Sequence, residues 1–222
     1  MSSAVIQLLV LAGVAIFLIL RLKSVLGTRE GFEKPPVPMA GKSDALNDSR
    51  PEFEVIEGGP DHDIIDNVPA ESPAAAALAE MKKEDADFNV TGFLQGARGA
   101  YEMILMAFKS GDLSEVEDFI APDILESFSE AIEERARQGL SIDATFVGIR
   151  ELKLITAHFD HATHEAELTV RFVAELTSVV RNETGEIVEG NPQEIVRQPD
   201  TWTFARDMSA GDPNWLLVAT GD

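Results

Sequence analysis

The hydrophobic repeat of this chain changes once, near residue 140, and this change limits the possible folds more than any other feature. Before it, apolar residues recur at helical spacing, as in Phe93, Ala97 and Tyr101. After it, every second residue is apolar, most clearly over residues 166–176. Helices followed by several strands favour an α+β domain. We therefore predict three helices packed on a curved antiparallel sheet.

The first long helix of this domain contains two unusual glycines. It ends at Gly111, a residue type common just after helices. Gly96 and Gly99 lie inside the helix, where each costs about 1 kcal/mol relative to alanine, and small residues there indicate a close-packed neighbour. A second helix is predicted over residues 113–120 and a third over residues 122–139.

A curved sheet wrapped around a helix leaves a conical cavity on its concave side. Aromatic and aliphatic residues on the inward faces would line that cavity as an apolar binding pocket, unless they simply fill the core. The predicted lining residues are Tyr101, Leu105, Phe128, Phe172, Trp202 and Phe204.

The amino terminus contains an apolar segment of nearly membrane-spanning length. Ala4 to Leu20 is apolar except for Gln7 and would form a helix of roughly 26 Å. A signal peptide would carry basic residues before this run, whereas Arg21 and Lys23 follow it. We predict that residues 1–26 are an uncleaved single-pass anchor in the membrane, with the amino terminus outside and the domain in the cytoplasm.

Residues 27–72 are predicted to be a disordered linker. They contain six of the eleven prolines, and their acidic composition cannot bury enough apolar surface to offset chain entropy. Phe53, Val55 and Ile56 form a small apolar island that could dock on a protein partner by adding a strand. The other interpretation is that these residues are incidental in a solvated tether.

The linker is followed by a short helix and then by the domain. Ser72 and Pro73 are typical of a helix start, so residues 73–87 are predicted to be an alanine-rich helix. The sequence leaves open whether this helix packs on the domain or swings free. The domain itself is predicted to occupy residues 88–222.

The charge balance and the missing cysteines exclude several classes of function. The chain has 18 basic and 39 acidic residues, for a net charge of −21. Such a field repels phosphate and argues against nucleic-acid binding. The sequence has no cysteine, which removes disulfides, thiol catalysis and cysteine-ligated metals.

The histidines suggest no catalytic or metal site. His158, His161 and His164 form a cluster with neighbouring carboxylates, but alternating strands flank it, which favours a polar hairpin. Asp143 and His158 are the candidates for an acid–base pair, yet they lie too far apart along one predicted strand to cooperate. We therefore predict a protein that is not an enzyme and has no catalytic residues, metal or cofactor.

Several segments resemble one known family. The segments are FLQGARGAYEMILMAFKSGDL from Phe93, FVGIRELKLITA from Phe146, VRFVAEL from Val170, VEGNPQEIVRQPDTWTFAR from Val188 and DPNWLLVAT from Asp212. Together they are similar, in order and spacing, to the Tim44-like domain family over residues 88–220.

The resemblance implies a cone-shaped domain of the nuclear-transport-factor-two-like type. With the anchor, it resembles the short alphaproteobacterial members of the family and implies a non-enzymatic adaptor at the bacterial inner membrane. The expected partners are a chaperone or factors of protein translocation or membrane-protein assembly. The alternative is a module that binds a lipid or a small apolar ligand in the conical pocket.

Overall fold

The computed structural model describes residues 60–221. The predicted anchor and most of the predicted linker, including Phe53, Val55 and Ile56, lie outside the described residues. Within residues 60–221, none of the helices has both the length and the apolar character needed to cross a bilayer.

The described residues form helices first and strands afterwards, as the change of repeat predicts. The helices are α1 (His62–Ile65), α2 (Pro73–Glu84), α3 (Val90–Ser110) and α4 (Pro122–Arg137), with a 3-10 turn at Glu117–Phe119. The strands are β1 (Ser141–Asp160), β2 (Glu165–Arg181), β3 (Ile187–Gly190), β4 (Val196–Asp207) and β5 (Leu216–Gly221). The prediction of a mixed fold with an antiparallel sheet is confirmed.

All the strands belong to one antiparallel sheet with the order β1-β2-β4-β5, and β3 pairs with the end of β2. Three register shifts interrupt the β1–β2 ladder, at residues 146–148, 149–151 and 154–156. Bulges of this kind bend a strand and increase its twist. They allow the 20-residue strand β1 to curve beside α2 and α3, which both pack against it.

The core lies between the helices and one face of β2. Six alternate residues of β2 are fully buried, because side chains along a strand point to opposite faces of the sheet. They are Ala166, Leu168, Val170, Phe172, Ala174 and Leu176. Leu78 and Met81 of α2 are equally buried, so α2 packs on the domain.

The predicted second helix, residues 113–120, is replaced by a loop with a single 3-10 turn. Two contacts divert the backbone from a helical path. The Asp112 carboxylate accepts hydrogen bonds from the Ser114 backbone N–H at 3.0 Å and from its hydroxyl at 2.7 Å. Ile120 then forms a bridge with Leu217 of β5, which requires an extended conformation.

Asp63 of α1 connects the three amino-terminal helices. Its carboxylate accepts hydrogen bonds from the backbone N–H groups of Val90 at 2.7 Å and Thr91 at 2.9 Å. These groups lie in the first turn of α3 and have no partner within the helix. The Lys82 ammonium of α2 lies 2.8 Å from the same carboxylate. Asp63 therefore caps one helix and forms an ion pair with another.

The predicted linker boundary at residue 72 is wrong for its last twelve residues. Ile64 and Val68 are each 5% exposed and belong to the core. The acidic residues nearby resemble a solvated tether in sequence, but Asp61 and Asp63 both pair with Lys82. Residues 61–72 therefore belong to the folded body.

We predict that Asp63 makes the stability of the domain depend on pH. Partial burial raises the pKa of Asp63, but the hydrogen bonds from Lys82, Thr91 and Val90 outweigh this effect and hold the pKa well below its ordinary range. A carboxyl group whose pKa is lower in the folded state stabilises the fold fully at pH values above its unfolded pKa of about 4. This stabilisation decreases as the pH falls below the unfolded pKa and is lost as the pH passes through the folded pKa. In urea unfolding, Asp63→Asn should lower the free energy of unfolding by about 1–3 kcal/mol at pH 7, because the amide removes the charge from the contacts with Val90, Thr91 and Lys82, with a smaller loss at pH 3. An equal loss at both pH values would contradict this assignment.

Candidate functional site

The six predicted pocket residues pack mainly on one another. Tyr101 of α3 stacks on Phe172 of β2, with ring centroids 4.3 Å apart and planes 10° apart. Trp202 of β4 lies 4.6 Å from Tyr101, and Phe204 lies 6.3 Å from Trp202. These four residues and Leu105 are buried, while Phe128 is half-buried against Phe108. This arrangement corresponds to the core-filling interpretation.

The hydroxyl of Tyr101 reaches the end of this aromatic cluster. It donates a hydrogen bond to the Asp200 carboxylate at 2.5 Å, and the Gln198 amide donates to the same oxygen at 3.0 Å. Burial and the neighbouring Asp200 charge raise the pKa of Tyr101 far above its ordinary value. The phenol therefore stays protonated at neutral pH and anchors the cluster.

The histidines and Asp143 lie at separate places on the sheet. His161 and His164 lie in the β1–β2 turn, and His164 Nδ1 is 2.9 Å from Glu84 of α2. Asp143, near the other end of β1, is exposed and lies 3.6 Å from Arg181. Within the described part of the chain, no cluster of three or more histidine or acidic side chains is arranged to hold a metal ion.

An apolar groove of about 440 Å³ runs beside α3 and is the candidate binding site. We call it the α3 groove. Buried residues lie at its base, and of the six predicted pocket residues it includes Phe204. The lining residues are Asp87, Phe88, Asn89, Gly92, Phe93, Gln95, Gly96, Ala97, Gly99, Ala100, Met103, Phe119, Phe204, Arg206, Pro213, Asn214 and Trp215.

Aromatic rings already in mutual contact form part of the lining. The Trp215 ring lies 4.7 Å from Phe93 and 5.9 Å from Phe88, and Phe93 also meets Phe204 edge-on at 6.0 Å. Rings held by several neighbours lose little further conformational entropy when a ligand binds. This part of the groove is therefore preorganised for an apolar ligand.

The α3 side of the groove contains a row of glycines that ends at a methionine, next to Phe93, Gln95, Ala97 and Ala100. Gly92, Gly96, Gly99 and Met103 are spaced by four, three and four residues, so they lie on one face of the helix. A Cβ atom added at Gly96 or Gly99 would have no heavy atom of a packed neighbour within 4 Å. The expectation of a close-packed neighbour at these glycines is therefore wrong within the described domain. The two glycines border open space.

The groove is nearly free of uncompensated charge. Arg206 and Asp87 are its charged lining residues. The Arg206 guanidinium is 2.9 Å from the Asp85 carboxylate and also donates to the Asp212 carbonyl at 2.9 Å. Asp87 lies just before the amino terminus of α3 and is exposed. An occupant would therefore meet a mostly apolar surface, with the uncharged amides of Asn89, Gln95 and Asn214, the paired Arg206 and one exposed carboxylate at the rim.

Sequence reasoning missed most of the groove. The local pattern predicts only a helix around Phe119, and nothing in the sequence near Phe119 or Trp215 shows that the two segments meet beside α3. The available signal was the helical spacing of Gly96 and Gly99 with Met103, whose side chain is 50% exposed. Exposed apolar and small residues on one helix face indicate an unpartnered surface.

The model of the Tim44-like domain matches residues 74–222, which is more than half of the chain. The chain belongs to the Tim44-like domain family. This result confirms the resemblance seen in the sequence. It also fits the structure, in which α2 packs on the domain although the sequence placed the domain start at residue 88.

The chain is also similar to subunits of a mitochondrial translocase. The chain is 25% identical over 159 residues to the mitochondrial import inner membrane translocase subunit TIM44 of Homo sapiens, and 24% identical to that of Rattus norvegicus. Each match covers 70% of this chain and 35% of the relative, so the chain spans about a third of the relatives' length. The intermembrane space region of the chloroplast protein ARC6 aligns with a TM-score of 0.36 at 12% identity, over 57% of this chain and 93% of that structure.

We predict that Phe172 acts as a core residue. Phe172→Ala would leave a cavity under Tyr101 and should lower the free energy of unfolding by about 3–5 kcal/mol. Tyr101→Phe keeps the stacked rings and loses the hydroxyl contact to Asp200, so it should cost about 1–2 kcal/mol. Urea unfolding of both variants measures these values. A loss below about 1 kcal/mol for Phe172→Ala would indicate that its ring borders an open pocket instead.

We also predict that Gly96→Ala stabilises the domain. The added methyl group enters open space, and alanine gives the unfolded chain less conformational freedom than glycine does. The free energy of unfolding should therefore rise by about 0.5–1 kcal/mol. Gly111→Ala is the matched control: Gly111 has a φ of +87°, and alanine there should cost about 1–2 kcal/mol. Thermal and urea unfolding compare the two. Destabilisation by Gly96→Ala would mean that the helix face is more crowded than the structure indicates.

Proposed function

We propose that this protein is a non-enzymatic adaptor at the bacterial inner membrane. Its Tim44-like domain holds an apolar segment of a partner protein in the α3 groove, in the service of protein translocation or membrane-protein assembly. The single observation that carries this proposal is the groove itself, with its preformed aromatic lining and bare glycine face. Membership of the Tim44-like family supports the link to translocation.

The proposal includes the parts of the chain that precede the domain. Residues 1–26 anchor the protein with the amino terminus outside, and the acidic linker gives the cytoplasmic domain reach. The partner is a chaperone or a translocation or assembly factor. The curved sheet and the helices against it are consistent with a cone of the nuclear-transport-factor-two-like type, filled by the aromatic cluster around Tyr101.

Binding in the groove would be driven by burial of apolar surface. Each 100 Å² removed from water contributes about 2.5 kcal/mol before the entropy of association is subtracted. Aromatic contacts commonly dominate such sites. Trp215 and Phe119 should therefore contribute more to affinity than the polar residues at the rim.

A lipid or small apolar ligand is the second candidate, and the size of the groove favours it. A volume of about 440 Å³ falls within the usual range for small-molecule sites. The two candidates differ in what the groove touches in the cell. An adaptor contacts protein there, and a ligand-binding module contacts a small molecule.

Site-specific crosslinking separates these candidates. We predict that a photoreactive phenylalanine analogue at Met103 of the full-length protein, in native membranes, forms adducts with proteins of the translocation or assembly machinery. Val147 on β1 is the matched control, because it is 53% exposed, similar to Met103 at 50%, and lies away from the groove.

Two results would count against the adaptor. If Met103 yields lipid adducts and no protein adducts, the ligand-binding module replaces it. If Met103 and Val147 capture the same proteins with the same yield, the groove has no special role. Gly96→Leu places a side chain in the groove. It should abolish the protein adducts at Met103 if the protein is an adaptor, and the lipid adducts at Met103 if it is a ligand-binding module.

A further inference from the structure

Gly96 and Gly99, the two inner glycines of α3, destabilise the helix, and no close packing within the described domain compensates for this cost. Gly92 lacks a side chain for a clear reason, since an added Cβ would lie 2.6 Å from the Asn89 side chain that caps the helix. Gly96 and Gly99 have no such neighbour within 4 Å. Glycine inside a helix is less favourable than alanine. The bare backbone at these positions therefore calls for an explanation outside the domain.

The charges around the groove restrict the contact face of its occupant. A charged side chain buried against this lining would lose its hydration without gaining a partner, because Arg206 is already paired with Asp85. At the rim, Asp87 has no ion pair among the described residues and can accept one cation. The occupant therefore presents an uncharged face that ends near a basic residue.

The lining also restricts the backbone conformation of a peptide occupant. The backbone groups of α3 are used within the helix, so an extended peptide cannot pair with them as it would with a sheet edge. Its own N–H and C=O groups would then find few partners, because the polar side chains of the lining are limited to Asp87, Asn89, Gln95, Arg206 and Asn214. A helix satisfies these groups internally and avoids that cost.

The glycine face matches such a helix in length and shape. From Gly92 to Met103 it extends about 16 Å, or three turns. Glycines at this spacing let two helix backbones approach more closely than the usual 8–10 Å between axes, as in membrane helix pairs. The acyl chain of a lipid is flexible and could bend around an added methyl group at Gly96 or Gly99. The absence of side chains at these positions would therefore contribute little to lipid binding.

We infer that the occupant of the α3 groove is an apolar α-helix of the partner protein, an inference that rests on the proposed function. It crosses α3 in backbone contact at Gly96 and Gly99 and carries small and apolar, uncharged side chains on that face. This chemistry is the one found on helices that pair inside membranes.

The test uses two fluorescent peptides with the full-length protein in lipid nanodiscs. One is a helical peptide of about 16 residues built from leucine, alanine, serine and glycine with lysines at its ends. The other has the same composition except for two central prolines, which break the helix. Fluorescence anisotropy gives both dissociation constants. The helical peptide should bind at least about tenfold more tightly.

Substitutions at the glycines test the close approach. Gly96→Leu and Gly99→Leu should each weaken binding of the helical peptide at least about tenfold. Gly96→Ala should weaken it severalfold although it stabilises the domain. Gly148→Ala is the control, because Gly148 also faces open space but lies on β1 outside the groove, and it should leave binding unchanged. Unfolding curves verify that each variant is folded.

The outcomes distinguish this inference from the proposed function. If both peptides bind equally and Gly96→Leu blocks both, the groove takes apolar segments but the helix inference is overturned. If Gly96→Ala binds the helical peptide as well as the unaltered protein does, the backbone contact is overturned. If neither peptide binds and Met103 crosslinks no protein, the inference and the proposed function both fail.

Discussion

The packing of Tyr101 against the sheet determines how the rest of the domain is arranged. Its ring stacks on Phe172 of β2 and touches Trp202 of β4, while its hydroxyl is fixed by Asp200. These contacts on two strands fix the rotation of α3 about its own axis. Because side chains along a helix follow a fixed period, the rotation that buries Tyr101 also turns Gly96 and Gly99 outward. The core and the groove are thus two consequences of one contact.

The second constraint acts at the amino-terminal end of α3. Asp63 satisfies two backbone N–H groups of the first turn and pairs with Lys82, so α1, α2 and α3 meet at one carboxylate. A side chain from a distant segment caps a helix only if the cost of ordering that segment is offset by other contacts. Here Ile64 is buried one residue later and holds it. The groove therefore starts beside a helix end that is fixed from outside the helix.

The sequence predicts the elements better than it predicts their contacts. The alternation in β2 and the stop at Gly111 follow from side-chain period and backbone sterics, which are local, and both are found in the structure. The loop at residues 113–120 departs from its helical pattern because Ile120 pairs with Leu217, nearly one hundred residues away. That pairing cannot be inferred from the sequence around either residue. The same limit applies to the end of the linker, where Lys82 neutralises acids that look solvated in the sequence.

The candidate site shows the same division between local and distant information. The six residues chosen for a conical pocket share the correct inward faces, but whether inward aromatic rings leave a cavity depends on their summed volume, and here they fill the space. The groove instead appears where the helix has no side chains to fill it. With a net charge of −21, the field of the whole chain attracts positively charged partners and repels anionic ones, but the lining of the groove adds almost no charge pair of its own to that attraction. Selection at the groove would then depend on fit and on the absence of charge in the occupant, which favours an apolar helix over a charged one.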